Sequence, residues 1–215
     1  MLKFLCILIL NFSFLTTVQA GGFFVGNDGG LAVRCSGEME MKSYDYMIGR
    51  MLYGKKLRVP RLPLDQSLKR ISRLLGQKAP QLHDSFQEFV ELLGNTDYSK
   101  RYVWKKSYYE LTQTNRDHFS LPSTCRSSYG AVEISQAIVR KAKSSGQVVF
   151  EYDDDVVLMI GRTSLQMSFL IVHEWLWSLT RNPETNIRIN YFLHSILVEQ
   201  MSSQEVALKF KEFAL

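Results

Sequence analysis

Two adjacent residues, His173 and Glu174, carry the side chains in this 215-residue sequence that most need a chemical explanation, because they interrupt the apolar run Leu165 to Leu179. A carboxylate in such surroundings is costly unless it is paired or hydrogen-bonded. Zinc peptidases of the HExxH pattern put two histidines one helical turn apart and use the glutamate as general base. Here the fifth position is Trp177, so the second metal ligand is missing. A site joining His173, His194 and a distant carboxylate gains no support from spacing. Beside a plain ligand pocket, two readings remain. One is a hydrolase centred on His173 and Glu174, with Arg188 stabilising developing negative charge. The other is a buried polar cluster in which Glu174 meets Arg188 or Arg181 and His173 bonds a backbone carbonyl. The hydrolase requires the three groups to converge in an open cleft, and sealed burial counts against it. Neither reading calls for a metal or another cofactor.

The remaining candidates have simpler explanations. His83 is expected on an exposed helix face and His118 in the polar loop from Asn115, and neither has metal-ligand spacing. Glu151 to Asp155 lacks the spaced ligands and closing glutamate of a calcium loop, so it reads as a solvated acidic turn that also caps the apolar stretch after it. No GxSxG elbow is present. Gly26 to Gly30 lacks the Lys-Ser/Thr ending of a phosphate loop and reads instead as the turn of a hairpin between Phe23–Val25 and Leu31–Val33. Trp175 and Trp177 read as core.

These residues must be positioned by helices and a small sheet. Thr163 or Ser164 is expected to cap a central helix over about 164–180, apolar nearly all round and therefore buried. Asn182-Pro183 ends it, a second helix spans about 185–199, and Ser202-x-x-Glu205 is a capping box for a last one. Earlier helices are expected over 43–52, 65–75 and 80–93, with Gly76 and Gly94 as terminal caps. Tyr102–Trp104 has strand composition, and Val132–Val139 can pair with Gln147–Tyr152 across Lys143–Gly146, although Ile134–Lys143 fits a helix equally well. The expected fold is one α+β domain over residues 21–215, a small antiparallel sheet packed with several helices.

Residues 1–20 read as a secretory signal peptide. Lys3 precedes the mostly apolar run Phe4 to Leu15, and Val18 and Ala20 stand at the −3 and −1 positions of a cleavage site after Ala20. The run is too short and too interrupted, by Asn11 and Ser13, to read as a membrane anchor. The mature protein is thus expected to be soluble, with no transmembrane segment, in the periplasm or outside the cell. Cleavage removes Cys6 and leaves Cys35 and Cys125, which in an exported chain favours a disulfide.

The formal charge of +5 is too small to imply a nucleic-acid partner, but it is unevenly spread. Residues 41–80 hold ten basic side chains against Asp45 and Asp65, whereas the rest of the mature chain is net acidic. Lys55, Lys56, Arg58 and Arg61 stand together around Pro60 and Pro63. They are the candidate contact residues for an anionic envelope component or an acidic protein, with a solvated face as the plainer alternative.

Several blocks together are similar to a group of short exported proteins from predatory bacteria of the Bdellovibrio type. They are Gly26–Gly30 leading to Val33-Arg34-Cys35, Ser43 to Gly54, the cysteine after Leu121-Pro122, and Leu170 to Glu174 followed by Arg188. The resemblance implies an exported location and no particular reaction. An aromatic residue is common in that group where Trp177 stands, which argues against a lost zinc histidine and implies that His173, Glu174 and Arg188 belong to one unit. Taken together, the expectation is an exported, envelope-associated binding protein, with the hydrolase as alternative.

Overall fold

The computed structural model describes residues 23–26, 29–54, 56–111, 121–125 and 131–213. The architecture is α+β. Strands β1 (Phe23–Gly26), β2 (Leu31–Arg34), β3 (Lys42–Ser43), β4 (Tyr102–Lys106), β5 (Glu133–Gln136), β6 (Ile138–Lys143) and β7 (Val148–Tyr152) form two sheets. One has the order β1-β6-β7-β4 and the other β3-β2-β5. The expected antiparallel pairing holds except between β4 and β7, which run parallel with Trp104 opposite Phe150. The anticipated hairpin around Gly146 is present between β6 and β7. Helices α1 (Tyr44–Tyr53), α2 (Leu64–Lys78), α3 (Pro80–Glu91), α4 (Asp154–Ile160), α5 (Leu165–Leu176), α6 (Pro183–His194), α7 (Leu197–Gln200) and α8 (Ser203–Glu212) complete the described chain.

The expected N-terminal hairpin does not form. β1 pairs with β6, whereas β2 lies between β3 and β5 in the other sheet. The glycines between them serve close approach. A Cβ on Gly29 would lie 1.8 Å from the carbonyl oxygen of Ile138, and one on Gly30 would lie 2.8 Å from Cδ2 of Leu170. Only bare backbone passes there. The return crossing is made at Ala137, between β5 and β6, whose N–H bonds the Gly30 carbonyl at 2.9 Å. The stretch anticipated as one strand, Val132–Val139, is therefore divided between the two sheets.

α5 is the central helix anticipated from composition. Ser164 caps it by accepting from the Met167 N–H, and Phe169, Leu170, Ile171, Val172, Trp175 and Leu176 are buried. Each such aliphatic or aromatic side chain contributes about 1.5–3 kcal/mol on burial. Asp153 accepts from the N–H groups of Asp155 and Val156, so the acidic turn does cap the following apolar segment, α4. The Ser202–Glu205 capping box is formed. Gly76 does not end α2, which continues to Lys78.

The helix anticipated over 185–199 breaks at Ser195, whose backbone is extended. Arg70 explains the break. Its guanidinium donates to the carbonyls of Leu193 (3.3 Å), His194 (3.2 Å) and Ser195 (2.6 Å), replacing the acceptors' lost helical partners. Cys35 and Cys125 are bonded, with Cα atoms 4.6 Å apart, and join the end of β2 to the turn at Ser123–Cys125. Closing a loop of that length, 90 residues, stabilises by roughly 4–5 kcal/mol in the chain-entropy account.

Candidate functional site

Seven buried polar residues collect where α1, α5 and α6 meet. α1 brings Asp45, α5 brings Ser168, His173 and Glu174, and α6 brings Asn186, Asn190 and His194, which recur every four residues on its inner face. All seven are buried.

Their hydrogen bonds fix protonation. The indole N–H of Trp177 donates to Nε2 of His173 at 2.6 Å, and an indole can only donate. Nε2 is therefore the unprotonated nitrogen, and Nδ1–H donates to Oδ2 of Asp45 at 2.8 Å. The Asn190 amide reaches the same carboxylate oxygen at 2.6 Å and the Phe169 carbonyl at 2.8 Å, while the Asn186 amide donates to the His173 carbonyl at 3.1 Å. His194 is held similarly. Its Nδ1 faces the Asn190 carbonyl at 2.9 Å and must donate to it, leaving the unprotonated Nε2 2.9 Å from the Ser168 hydroxyl, whose one proton is shared with the Leu165 carbonyl at 2.7 Å. Burial pushes His194 down to about 3, aided by the nearby Arg70 charge. The ring stacks on Phe169 with centroids 3.8 Å apart. A hydroxyl and an imidazole at this distance have the makings of a nucleophile and base. Here both are sealed in the core, and the imidazole is oriented by a backbone carbonyl.

Glu174 sits apart from this chain of bonds. Its Oε1 accepts from the Gly30 N–H at 2.6 Å, and its Oε2 is buried with no hydrogen-bond partner among the described residues. Burial pushes the carboxyl up to about 7, against the opposing pull of His173, the Gly30 N–H and the Arg140 charge.

The anticipated partners are thus corrected. Glu174 meets Gly30 and the field of Arg140, not Arg188 or Arg181, and His173 donates to a carboxylate, not to a backbone carbonyl. Arg188 pairs with Glu184, one turn away, and lies beside Tyr53. The reason is helical geometry: Asn186 and Asn190 face inward, so the residue midway between them is turned roughly 200° away. His173 is 8% exposed and Glu174 1%, so the three groups anticipated as one unit do not converge in an open cleft. Among the described residues, no group of three or more His, Cys, Asp or Glu is arranged to hold a metal ion. His118 lies outside the described residues, and His83 is half-buried, with Ser72 and Asp84 at its ring nitrogens.

The basic stretch 41–80 is divided by the fold. Arg70 is half-buried and engaged by the carbonyls described above and by Glu199, Lys42 pairs with Glu38, Lys69 with Asp65, and Lys78 donates to the Met201 carbonyl. Lys56, Arg58 and Arg61 are exposed and have no acidic partner among the described residues, and Arg50 joins them at the end of α1. Lys55 lies outside the described residues.

Asp45, Ser168, Asn186 and Asn190 escaped the sequence reading. The signal was there for two of them, because Asn186, Asn190 and His194 are polar side chains repeating at helical spacing beside Ile187, Ile189 and Leu193. No protein-family model matches the chain, and neither a curated protein nor a solved structure matches it.

Proposed function

We propose that this is an exported, envelope-associated binding protein that meets an anionic partner surface through Lys55, Lys56, Arg58 and Arg61. One observation carries the reading: the described part of this segment is pinned to the body of the protein while Lys56, Arg58 and Arg61 are exposed. Leu57 is buried with Phe169 and Tyr191, Val59 packs against the same cluster, and the Ile196 N–H bonds the Arg58 carbonyl at 2.8 Å. Alternation of anchored apolar and exposed basic side chains presents a preorganised cationic edge, which lowers the ordering cost of binding. The neighbouring Met51 and Leu52 are exposed on the last turn of α1 and give the edge an apolar margin suited to a lipid headgroup layer. A Cys35–Cys125 disulfide is compatible with an oxidising compartment, and no helix among the described residues is long and apolar enough to cross a membrane.

The hydrolase alternative is not carried forward, because Glu174 is sealed and Arg188 is engaged elsewhere. The test is co-sedimentation of the purified protein with vesicles of phosphatidylglycerol and of phosphatidylcholine. Binding to the anionic vesicles alone is expected, weakening with salt, and the charge reversals Lys55→Glu, Lys56→Glu, Arg58→Glu and Arg61→Glu together should abolish it. Retention unchanged by those reversals would overturn the reading.

A further inference from the structure

A second cationic feature lies away from the 41–80 region and is built from parts far apart in sequence. A recess of about 290 Å³ opens where Arg101 and Tyr102 at the start of β4, Arg140 and Lys143 on β6, and Trp177 and Arg181 beyond the last turn of α5 come together. Its described lining holds four cationic side chains and no carboxylate. Two of the four are partly committed. Arg101 pairs with Glu88 at 3.1 Å, and Lys143 donates to Gln147 while lying over the Tyr98 ring. Arg181 is exposed and has no acidic partner among the described residues.

Arg140 is the informative one. Its Nε is sealed from solvent and has no hydrogen-bond partner among the described residues. Burial and the like charges of Arg181 and Arg101 all work against its protonation, and only Glu174 and Tyr102 favour it. A guanidinium held in that setting costs free energy. An oxyanion between Arg140 and Arg181 would offset the cost, because the planar fork of arginine matches phosphoryl oxygens in pairs. The recess is about ten water volumes, at about 30 Å³ per water. That exceeds a bare phosphate and leaves room for a small organic group against the Tyr102 and Trp177 rings.

We propose that this recess binds a phosphate dianion, as the free ion or as the head of a small monoester. The test is calorimetric titration of the purified protein at fixed ionic strength with inorganic phosphate, phenyl phosphate and acetate. Saturable one-to-one binding of the phosphates and none of acetate is expected. Tighter binding of phenyl phosphate supports the site and assigns it to a monoester, whereas equal affinity supports it and assigns it to the free ion. Arg181→Glu and Arg140→Gln should each weaken binding about tenfold or more, the range for a lost charge-assisted contact. Should Arg140→Gln fail to fold, Arg181→Glu carries the test, since that side chain is exposed. Lys56→Glu, Arg58→Glu and Arg61→Glu should leave phosphate affinity unchanged, which separates this site from the envelope-facing edge. No saturable heat with either phosphate, acetate binding equally well, or affinity untouched by Arg181→Glu would overturn the proposal.

Discussion

Trp177 stands one helical turn beyond His173 and donates its indole N–H to the imidazole Nε2 at 2.6 Å, which decides that the other nitrogen carries the proton offered to Asp45. The position that in a zinc peptidase would hold a second ligand here holds a donor, and a donor occupies the lone pair a metal would need.

The tautomer is directly observable. Nitrogen-15 spectra of the imidazole should show His173 as the Nδ1–H form. Trp177→Phe keeps the ring but removes the donor, leaving Nε2 buried and unsatisfied. A loss of about 1–3 kcal/mol in urea denaturation is expected. An Nε2–H signature in the wild-type protein would contradict the hydrogen-bond assignment.

Stability should peak in mildly acid solution. Glu174 is raised from 4.5 to about 7, so between those values the folded chain holds a proton that the unfolded chain has released. Its contribution is complete below 4.5 and is lost as pH rises toward 7, by roughly 3 kcal/mol. His194 is lowered from 6.5 to about 3, so its contribution is complete above 6.5 and is lost as pH falls toward 3. The two slopes oppose each other between 4.5 and 6.5, Glu174 governs above that window and His194 below it. Denaturation midpoints taken across pH 4 to 8 should therefore fall above 6.5 in the wild type and stay level there in Glu174→Gln. A wild-type curve still rising from 6.5 to 8 would show that Glu174 is not held protonated in the folded chain.

Gly29 and Gly30 differ in what surrounds them, and their alanine variants should differ accordingly. A Cβ at Gly30 meets the end of the Leu170 side chain and, at 3.2 Å, Oε1 of Glu174, whereas at Gly29 it meets backbone. Side chains yield by rotation, so Gly30→Ala should cost about 1–3 kcal/mol. Gly29→Ala should cost more, because the Ile138 carbonyl cannot turn aside without breaking the crossover. Thermal melts of the two variants decide the order, and equal losses would refute the distinction.

The helical part of the fold was legible because its signals are local. Ser164, Ser202 and Glu205 cap helices within three residues of themselves, and the apolar run around Ile171 forces burial of α5. What stayed hidden depends on partners more than a hundred residues away. Gly26 to Gly30 has the composition of a turn, and only Ile138 and Leu170 reveal that the glycines make room for neighbouring atoms. Ser195 bonds its own hydroxyl to the Phe192 carbonyl, but the carbonyls left open at the break are held by the distant Arg70. The site was half legible for the same cause. His173 and Glu174 declared themselves as polar groups in an apolar run, but their companions Asp45 and Gly30 belong to distant elements. Arg188 was misread because its helix turns it away from the inward face of Asn186 and Asn190, toward Glu184 and Tyr53.

The crossings between the sheets meet at one point: the Gly30 carbonyl accepts from the N–H groups of both Ala137 and Ile138, at 2.9 and 3.2 Å, while the Gly30 N–H is held by Glu174. A single residue thus links both sheets to the central helix. Local opening at that residue frees strands on both sides at once, so the sheets cannot fray independently. They should exchange their amide hydrogens as one cooperative unit, on the timescale of global unfolding.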